Sequence, residues 1–198
     1  MMRFIKSLAP LMLLSGGIIS GCAVPVGPVE VSRFHVADAS PLGHGTIAVV
    51  PGPGMDGSSL ELQSYQIAVE RELSALGYTA APPDSADQVA AIRLVRTALT
   101  ESRSPVGVSL GASGSNYGSG AGVGISIPIR TGSGQSTATD LIAVIRDRAS
   151  GKALWEGRAS FTVSATSPLA QTQLAAPKLA QALFSGFPGQ SGETIRVP

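Results

Sequence analysis

Lys152-Ala153-Leu154-Trp155-Glu156-Gly157-Arg158-Ala159-Ser160-Phe161-Thr162-Val163 alternates with a period of two. Ala153, Trp155, Gly157, Ala159, Phe161 and Val163 fall on one side, and Leu154, Glu156, Arg158, Ser160 and Thr162 fall mostly on the water side. That alternation belongs to a half-buried antiparallel strand. Trp155 lies mid-strand on the apolar side, which makes it a core residue rather than a platform for a ligand. Thr137 to Asp147 forms the preceding arm. Asp147 to Lys152 is a polar turn in which Gly151 can take the left-handed position of a bulge. The pair predicts the clearest hairpin of the chain.

Working outward, Gln88 to Thr100 follows Ala86-Asp87 and alternates in part, with Ile92 and Leu94 opposed to Arg93 and Val95, and predicts another strand. Thr46 to Val50 is a continuous apolar run stopped by Pro51-Gly52-Pro53-Gly54, which predicts a central strand covered on both faces. Val31 to Val36 is a weaker strand after a tether, and Pro41 to Gly45 and Ala80 to Asp84 are turn and loop. Ser58 to Leu76 is the best helix. Ser58 with Glu61 makes a capping box. Leu62, Tyr65, Val69, Leu73 and Leu76 line one face, and Gly77 sits where a left-handed residue ends a helix. Arg71, between Glu70 and Glu72, belongs to the solvated side. Ser167-Pro168 caps a second helix that Pro177 kinks or divides. Leu179, Leu183 and Phe184 cover the sheet, Phe187-Pro188-Gly189 ends the helix, and Glu193 to Pro198 is extended. The expected class is α+β, a two-layer sandwich with a mainly antiparallel sheet and two helices on one face.

Ser104 to Gly134 is rich in glycine and serine. Its arms alternate, with Val106, Val108 and Leu110 on one side and Val123, Ile125, Ile127 and Ile129 on the other. The pattern predicts a protruding Gly-rich β-hairpin with a mobile tip around Tyr117, a candidate contact surface. It is not a phosphate cradle. The third position after Gly118 and Gly120 is Val123, which breaks the dinucleotide spacing, and Gly151-Lys152 is followed by Ala153 rather than Ser or Thr.

The start of the chain gives its address. Arg3 and Lys6 precede a run from Leu8 to Ile19 that is apolar apart from Pro10, Ser15, Gly16 and Gly17. Such a run is too short to span a bilayer and predicts a secretory signal. Ile19-Ser20-Gly21-Cys22 then resembles the lipobox of bacterial lipoproteins. The resemblance implies cleavage between Gly21 and Cys22, a diacylglycerol on the Cys22 thiol and an acylated new amino terminus. Thiolate nucleophilicity explains why this acceptor is a cysteine. Cys22 is the single cysteine of the chain, so no disulfide forms within it. Ala23 stands where an aspartate commonly retains lipoproteins in the inner membrane, which implies the outer membrane, facing the periplasm. Residues 1–21 are therefore the signal peptide, 22–30 a lipidated Pro/Gly tether, and 31–198 one domain. Losing Arg3 and Lys6 from 14 basic residues leaves 12 against 13 acidic ones, no basic excess for nucleic acid.

Catalytic chemistry is not legible. His35 and His44 have no carboxylate or thiol at ligand spacing, and zinc needs three or four ligands. No serine sits in a G-x-S-x-G elbow. Asp84, Asp87, Asp140 and Asp147 sit at loop or strand ends, where aspartate is ordinary. No catalytic residue, cofactor or metal is expected.

The order of these features resembles the bacterial lipoprotein family catalogued as domain of unknown function 4136. The features are the lipobox at Cys22, Gly45–Pro51, Leu76-Gly77-Tyr78, Ala86-Asp87 before a strand, Asp147 to Gly157 around Leu154-Trp155, and Phe184 with Phe187-Pro188. Membership implies a two-layer α/β domain in the cell envelope and brings no assigned catalytic residues. The expected function is a membrane-anchored envelope lipoprotein acting as a non-enzymatic interaction or assembly module toward a protein or cell-wall partner. The alternative is a small-ligand-binding protein or hydrolase whose site forms only in three dimensions.

Overall fold

The structure, a computed structural model, describes residues 27–100 and 135–198. Gly21, Cys22, Tyr117 and the Gly-rich stretch 104–134 lie outside the described residues. The elements are β1 (Val29–His35), β2 (Thr46–Pro51), α1 (Leu60–Ala75), β3 (Thr79–Ala80), β4 (Gln88–Thr100), β5 (Gln135–Asp147), β6 (Ala153–Ser164), a 3-10 turn (Pro168–Ala170), α2 (Thr172–Leu183) and β7 (Glu193–Val197). Seven strands form one mixed sheet in the order β3-β2-β4-β5-β6-β1-β7. β2 runs parallel to β3 and β4, and every other pairing is antiparallel. β1 begins at Val29, inside the stretch read as a tether.

The hairpin β5–β6 holds the centre, and the alternation that predicted it is visible in its burial. Trp155, Gly157, Ala159, Phe161 and Val163 are buried, and Leu141, Ala143 and Ile145 face them across the pairing. One side of the alternation fails at its start. Ile145 pairs with Trp155 but Arg146 pairs with Ala153, so Leu154 is an extra residue in the ladder. The bulge turns Leu154 into the core and leaves Ala153 exposed, the reverse of the strict alternation. Gly151 does take a positive φ of 71° in the turn.

Two other expectations are corrected. β2 is not central: only β3, two residues long, lies outside it, and Val49 and Val50 are half-buried. Apolar continuity alone cannot separate a central strand from one beside a short edge. The helix cap is also one residue later than read. Ser59, not Ser58, accepts from the Leu62 N–H at 3.3 Å, while the Ser58 hydroxyl donates to Asp56 at 2.7 Å. The apolar stripe of α1 is buried as expected at Leu62, Tyr65, Val69 and Leu73. Gly77 ends it at φ +104°, and a Cβ there would meet the Gly43 carbonyl oxygen at 2.8 Å. Glycine is therefore required twice over, by conformation and by close approach.

The C-terminal third divides into two helical pieces, but not at Pro177. Ser167 caps the 3-10 turn, Gln171 is extended, and α2 runs through Pro177. Pro177 is only half-buried, so the carbonyl it leaves unpaired one turn earlier, at the exposed Gln173, can reach water. α2 packs on α1, and Leu179, Leu183 and Phe184 are buried with the sheet residues. Trp155 stacks on Phe184 with centroids 5.3 Å apart and tilts against Phe187 at 5.2 Å. Phe187-Pro188-Gly189 lies beyond the helix end rather than forming it, since α2 closes at Leu183 with Phe184 as its cap.

Candidate functional site

Three polar constellations are built by this topology. The first lies where β1 meets the turn before β7. Arg33 alternates with Val29 and Val31 and is 1% exposed. Its Nε lies 3.2 Å from Glu193 Oε1, a charge contact without an aligned hydrogen bond. One terminal guanidinium nitrogen donates to the Ser185 carbonyl at 2.8 Å. Beside it the His35 ring sits between two carbonyls, with Nδ1 2.7 Å from Val36 O and Nε2 3.2 Å from Gly189 O. Ser191 Oγ accepts from the His35 N–H and donates to the His35 carbonyl, both at 3.0 Å. A serine and a histidine are neighbours here, but the Ser191 hydroxyl is spent on the His35 backbone, and the ring lies between two carbonyls, only one of which a neutral imidazole can serve. No proton path joins them in this geometry.

The second constellation is a polar row on the sheet side away from the buried residues. Arg196, Glu30, Ser160 and Asp140 are neighbours across β7, β1, β6 and β5. Arg158 donates to Asp140 at 2.7 Å, the Ser160 hydroxyl donates to Asp140 at 2.5 Å, and Arg196 meets Glu30 at 3.4 Å. They border a shallow groove of about 390 Å³ with Pro28, Ala138 and Thr162. Asp140 is thus mid-strand and salt-bridged, not at a strand end as read. Only cross-strand register exposes this row, because its members are far apart in sequence.

The third ties the helices together. Arg96 reaches from β4 to Glu61 at 2.5 Å and to the Ala170 carbonyl at 2.6 Å, and Thr172 donates to Glu61 at 3.0 Å. Beneath it the Tyr65 hydroxyl is buried without a partner among the described residues. Burial, opposed by Arg96 and reinforced by Glu61, pushes its pKa up to about 12. His44 is exposed on its turn. Among the described residues no three His, Cys, Asp or Glu side chains are grouped to hold a metal, and no helix is long and apolar enough to cross a membrane.

Residues 46–189 match the model of the family described as Domain of unknown function (DUF4136). The chain belongs to this family. The matched residues include β2 to α2 and leave out β1 and β7, so Arg33, Glu193, Glu30 and Arg196 fall outside them. The chain is similar to the uncharacterized protein ZMO1243 of Zymomonas mobilis, 30% identical over 214 residues that cover 86% of this chain and 80% of that one. Among solved structures, the chain is similar to a PelC dodecamer from Paraburkholderia phytofirmans, with a TM-score of 0.47, 13% identity, and coverage of 82% of this chain and 99% of that one. It is also similar to a PDZ domain protein from Parabacteroides distasonis, with a TM-score of 0.47, 15% identity, and coverage of 86% of this chain and 39% of that one.

The carboxylates of this DUF4136 domain make a prediction about acid stability. Asp38, Asp56, Asp87 and Asp147 each accept from a neighbouring hydroxyl residue, Ser40, Ser58, Thr46 and Ser150 respectively. These bonds hold all four below the ordinary value of 3.8. A carboxylate whose folded-state value is depressed stabilises the fold above its unfolded value and stops doing so as pH falls through the folded one. The melting temperature is therefore expected to hold down to the region of 3.8 and decline below it. Asp87→Asn, which keeps an oxygen to accept from the Thr46 N–H and hydroxyl but removes the carboxyl that protonates, is expected to flatten that decline. An unchanged acid limb in Asp87→Asn, in melting curves taken across pH, would contradict this.

Proposed function

We propose that this DUF4136 protein is a lipid-anchored envelope lipoprotein whose domain works as a non-enzymatic interaction or assembly module on the periplasmic face of the outer membrane. In this reading the sheet and the paired helices form two layers, and the Gly-rich stretch around Tyr117 protrudes as a contact hairpin. The observation that carries it is the placement of the only cysteine, Cys22, at the end of the lipobox-like Ile19-Ser20-Gly21-Cys22, a short tether ahead of β1. The polar constellations support it in a second way, since each is engaged in holding chain segments together.

Lipidation is tested with Cys22→Ser in a bacterial host fed a labelled fatty acid. The native chain is expected to carry label and fractionate with membranes, because two or more acyl chains anchor stably at about 0.8 kcal/mol per buried CH₂. The variant is expected to lose the label and to be either uncut or soluble after export. Undiminished labelling of Cys22→Ser would end the lipoprotein reading. A photo-crosslinker placed at Tyr117 in the same cells then asks for the contact that the module reading requires.

A further inference from the structure

The strand directions put one end of the domain on view. β2, β4, β6 and β7 finish there, and β1, β5, α1 and α2 begin there. Arg96, Glu61 and Thr172 meet at this end, which fixes the first turns of both helices side by side. The large apolar side chains that the described fold leaves in water concentrate here. Leu60 is 79% exposed at the first position of α1, Leu174 46% in the first turn of α2, and Leu99 42% near the end of β4. Val95, 39% exposed, pairs with Asp140 further along the sheet, Ile67 lies two turns further down α1, and Phe34 belongs to the opposite end. Capping does not ask for leucine at Leu60, since Ser59 already supplies the cap. Leu60 and Leu174 stand on the helix layer and Leu99 on the other side of the sheet, so both layers of this end present apolar side chains, the mark of a surface that meets something apolar.

The chain before β1 says what that is. Val29 starts at this same end, and Cys22 can lie no more than about 25 Å from it at 3.3–3.6 Å per residue. β5 alone is 13 residues, about 43 Å at 3.3 Å per residue, so the far end of the sheet stands beyond the tether's length. The charges do not oppose this. Glu61 and Glu30 at this end are each paired with an arginine, and Asp56 is engaged by Ser58. The other end carries Asp38, Asp84, Asp87 and Asp147 together with Arg146, Arg148 and Lys152, so charge alone does not choose between the ends. We infer that the end bearing Leu60, Leu174 and Leu99 docks on the phospholipid surface that holds the Cys22 anchor, with the Asp87–Asp147 end pointing away. The inference rests on the lipoprotein reading of Cys22. It adds an orientation, with leucines seated at the headgroup boundary as the apolar side of an interfacial helix is.

The test uses the single cysteine. In the lipidated full chain Cys22 is blocked, so Leu60→Cys, Leu174→Cys and Phe34→Cys each offer one thiol for an environment-sensitive dye. All three replaced residues are exposed, and melting curves check that each labelled protein is folded. The proteins are reconstituted in vesicles of phosphatidylethanolamine and phosphatidylglycerol carrying nitroxide-labelled acyl chains. Dye at 60 and 174 is expected to be quenched several-fold more than dye at 34. Equal quenching at the three positions, or quenching at 34 alone, overturns the docking. So does dye at 60 that is shielded from both lipid and water, which would mean that residues 101–134, leaving the sheet at the same end, cover the leucines instead. Dye uptake by the unsubstituted chain is a separate signal: it shows a free Cys22, which removes the anchor and the docking together.

Discussion

Trp155→Ala is expected to lower the melting temperature by about 6–20 °C. Trp155 is 1% exposed, the largest of the fully buried side chains. Truncating a buried tryptophan costs about 3–5 kcal/mol through lost transfer energy and the cavity left behind. In a chain of this size each kcal/mol moves the midpoint by about 2–4 °C. Two features put the cost in the upper part of that range. The indole stacks on Phe184 and tilts against Phe187, so its removal unpacks two further rings. Its N–H donates to the Pro188 carbonyl at 3.1 Å, so truncation also strips an acceptor in the turn before β7. Collapse around the gap is limited by Gly157, which has no side chain to move in. A Cβ added there would overlap the Trp155 ring and lie 2.9 Å from Leu183 Cδ1. Trp155→Phe should recover part of the loss, keeping ring contacts without the hydrogen bond. A Trp155→Ala protein that melts like the native chain would show that the aromatic cluster contributes nothing, and thermal melts followed by far-UV circular dichroism decide it.

How far the sequence could be read follows from which interactions are local. The period of two in Lys152–Val163 and the stripe of Leu62, Tyr65, Val69 and Leu73 are properties of a strand or helix by itself. They placed Trp155 and the core of α1 correctly. Ser167 before Pro168 and Gly77 after α1 are equally local, and both stand where read. The misses depend on a second segment. Leu154 turns inward because the ladder shifts at Ile145 and Arg146, and a register shift has no signature within one strand. The position of β2 depends on how little β3 covers it. Asp140 gains its role from Arg158 and Ser160 on the next strand, and Glu30 from Arg196 at the other end of the chain. The apolar end was invisible for the same reason, since Leu60, Leu99 and Leu174 come to one end only after the strands and helices are aligned.

Arg33→Ala is expected to destabilise the domain about as much as Trp155→Ala, by a different route. In the sequence Arg33 is only a charged residue two positions after Val31, on the same side of a short strand. The structure buries it between β1 and the turn leading to β7. Its partners are Glu193 on the paired strand and the Ser185 carbonyl just past α2. Removing one member of a fully buried pair costs about 3–5 kcal/mol; Glu193 is 28% exposed, so water offsets part of that, and the lost packing of the buried Arg33 stem adds to what remains. Glu193 would keep only the Gln190 N–H, which donates to it at 2.8 Å, and Ser185 would lose the guanidinium. The charge and the packing can be separated. Arg33→Met keeps an apolar stem of similar length and loses the charge, so it should be less harmful than Arg33→Ala. Adding Glu193→Gln to Arg33→Met removes the stranded carboxylate and should restore stability further, since a buried ion pair exchanged for neutral groups is often close to neutral. The order expected in melting temperature is native, double variant, Arg33→Met, Arg33→Ala. The turn should also respond locally: amides from Gly186 to Gly192 should exchange hydrogen faster in Arg33→Ala, because that segment is held over β1 through the arginine. If the double variant is less stable than Arg33→Met alone, Glu193 is stabilised by something other than Arg33. The ion pair would then be a consequence of the turn's position rather than its cause.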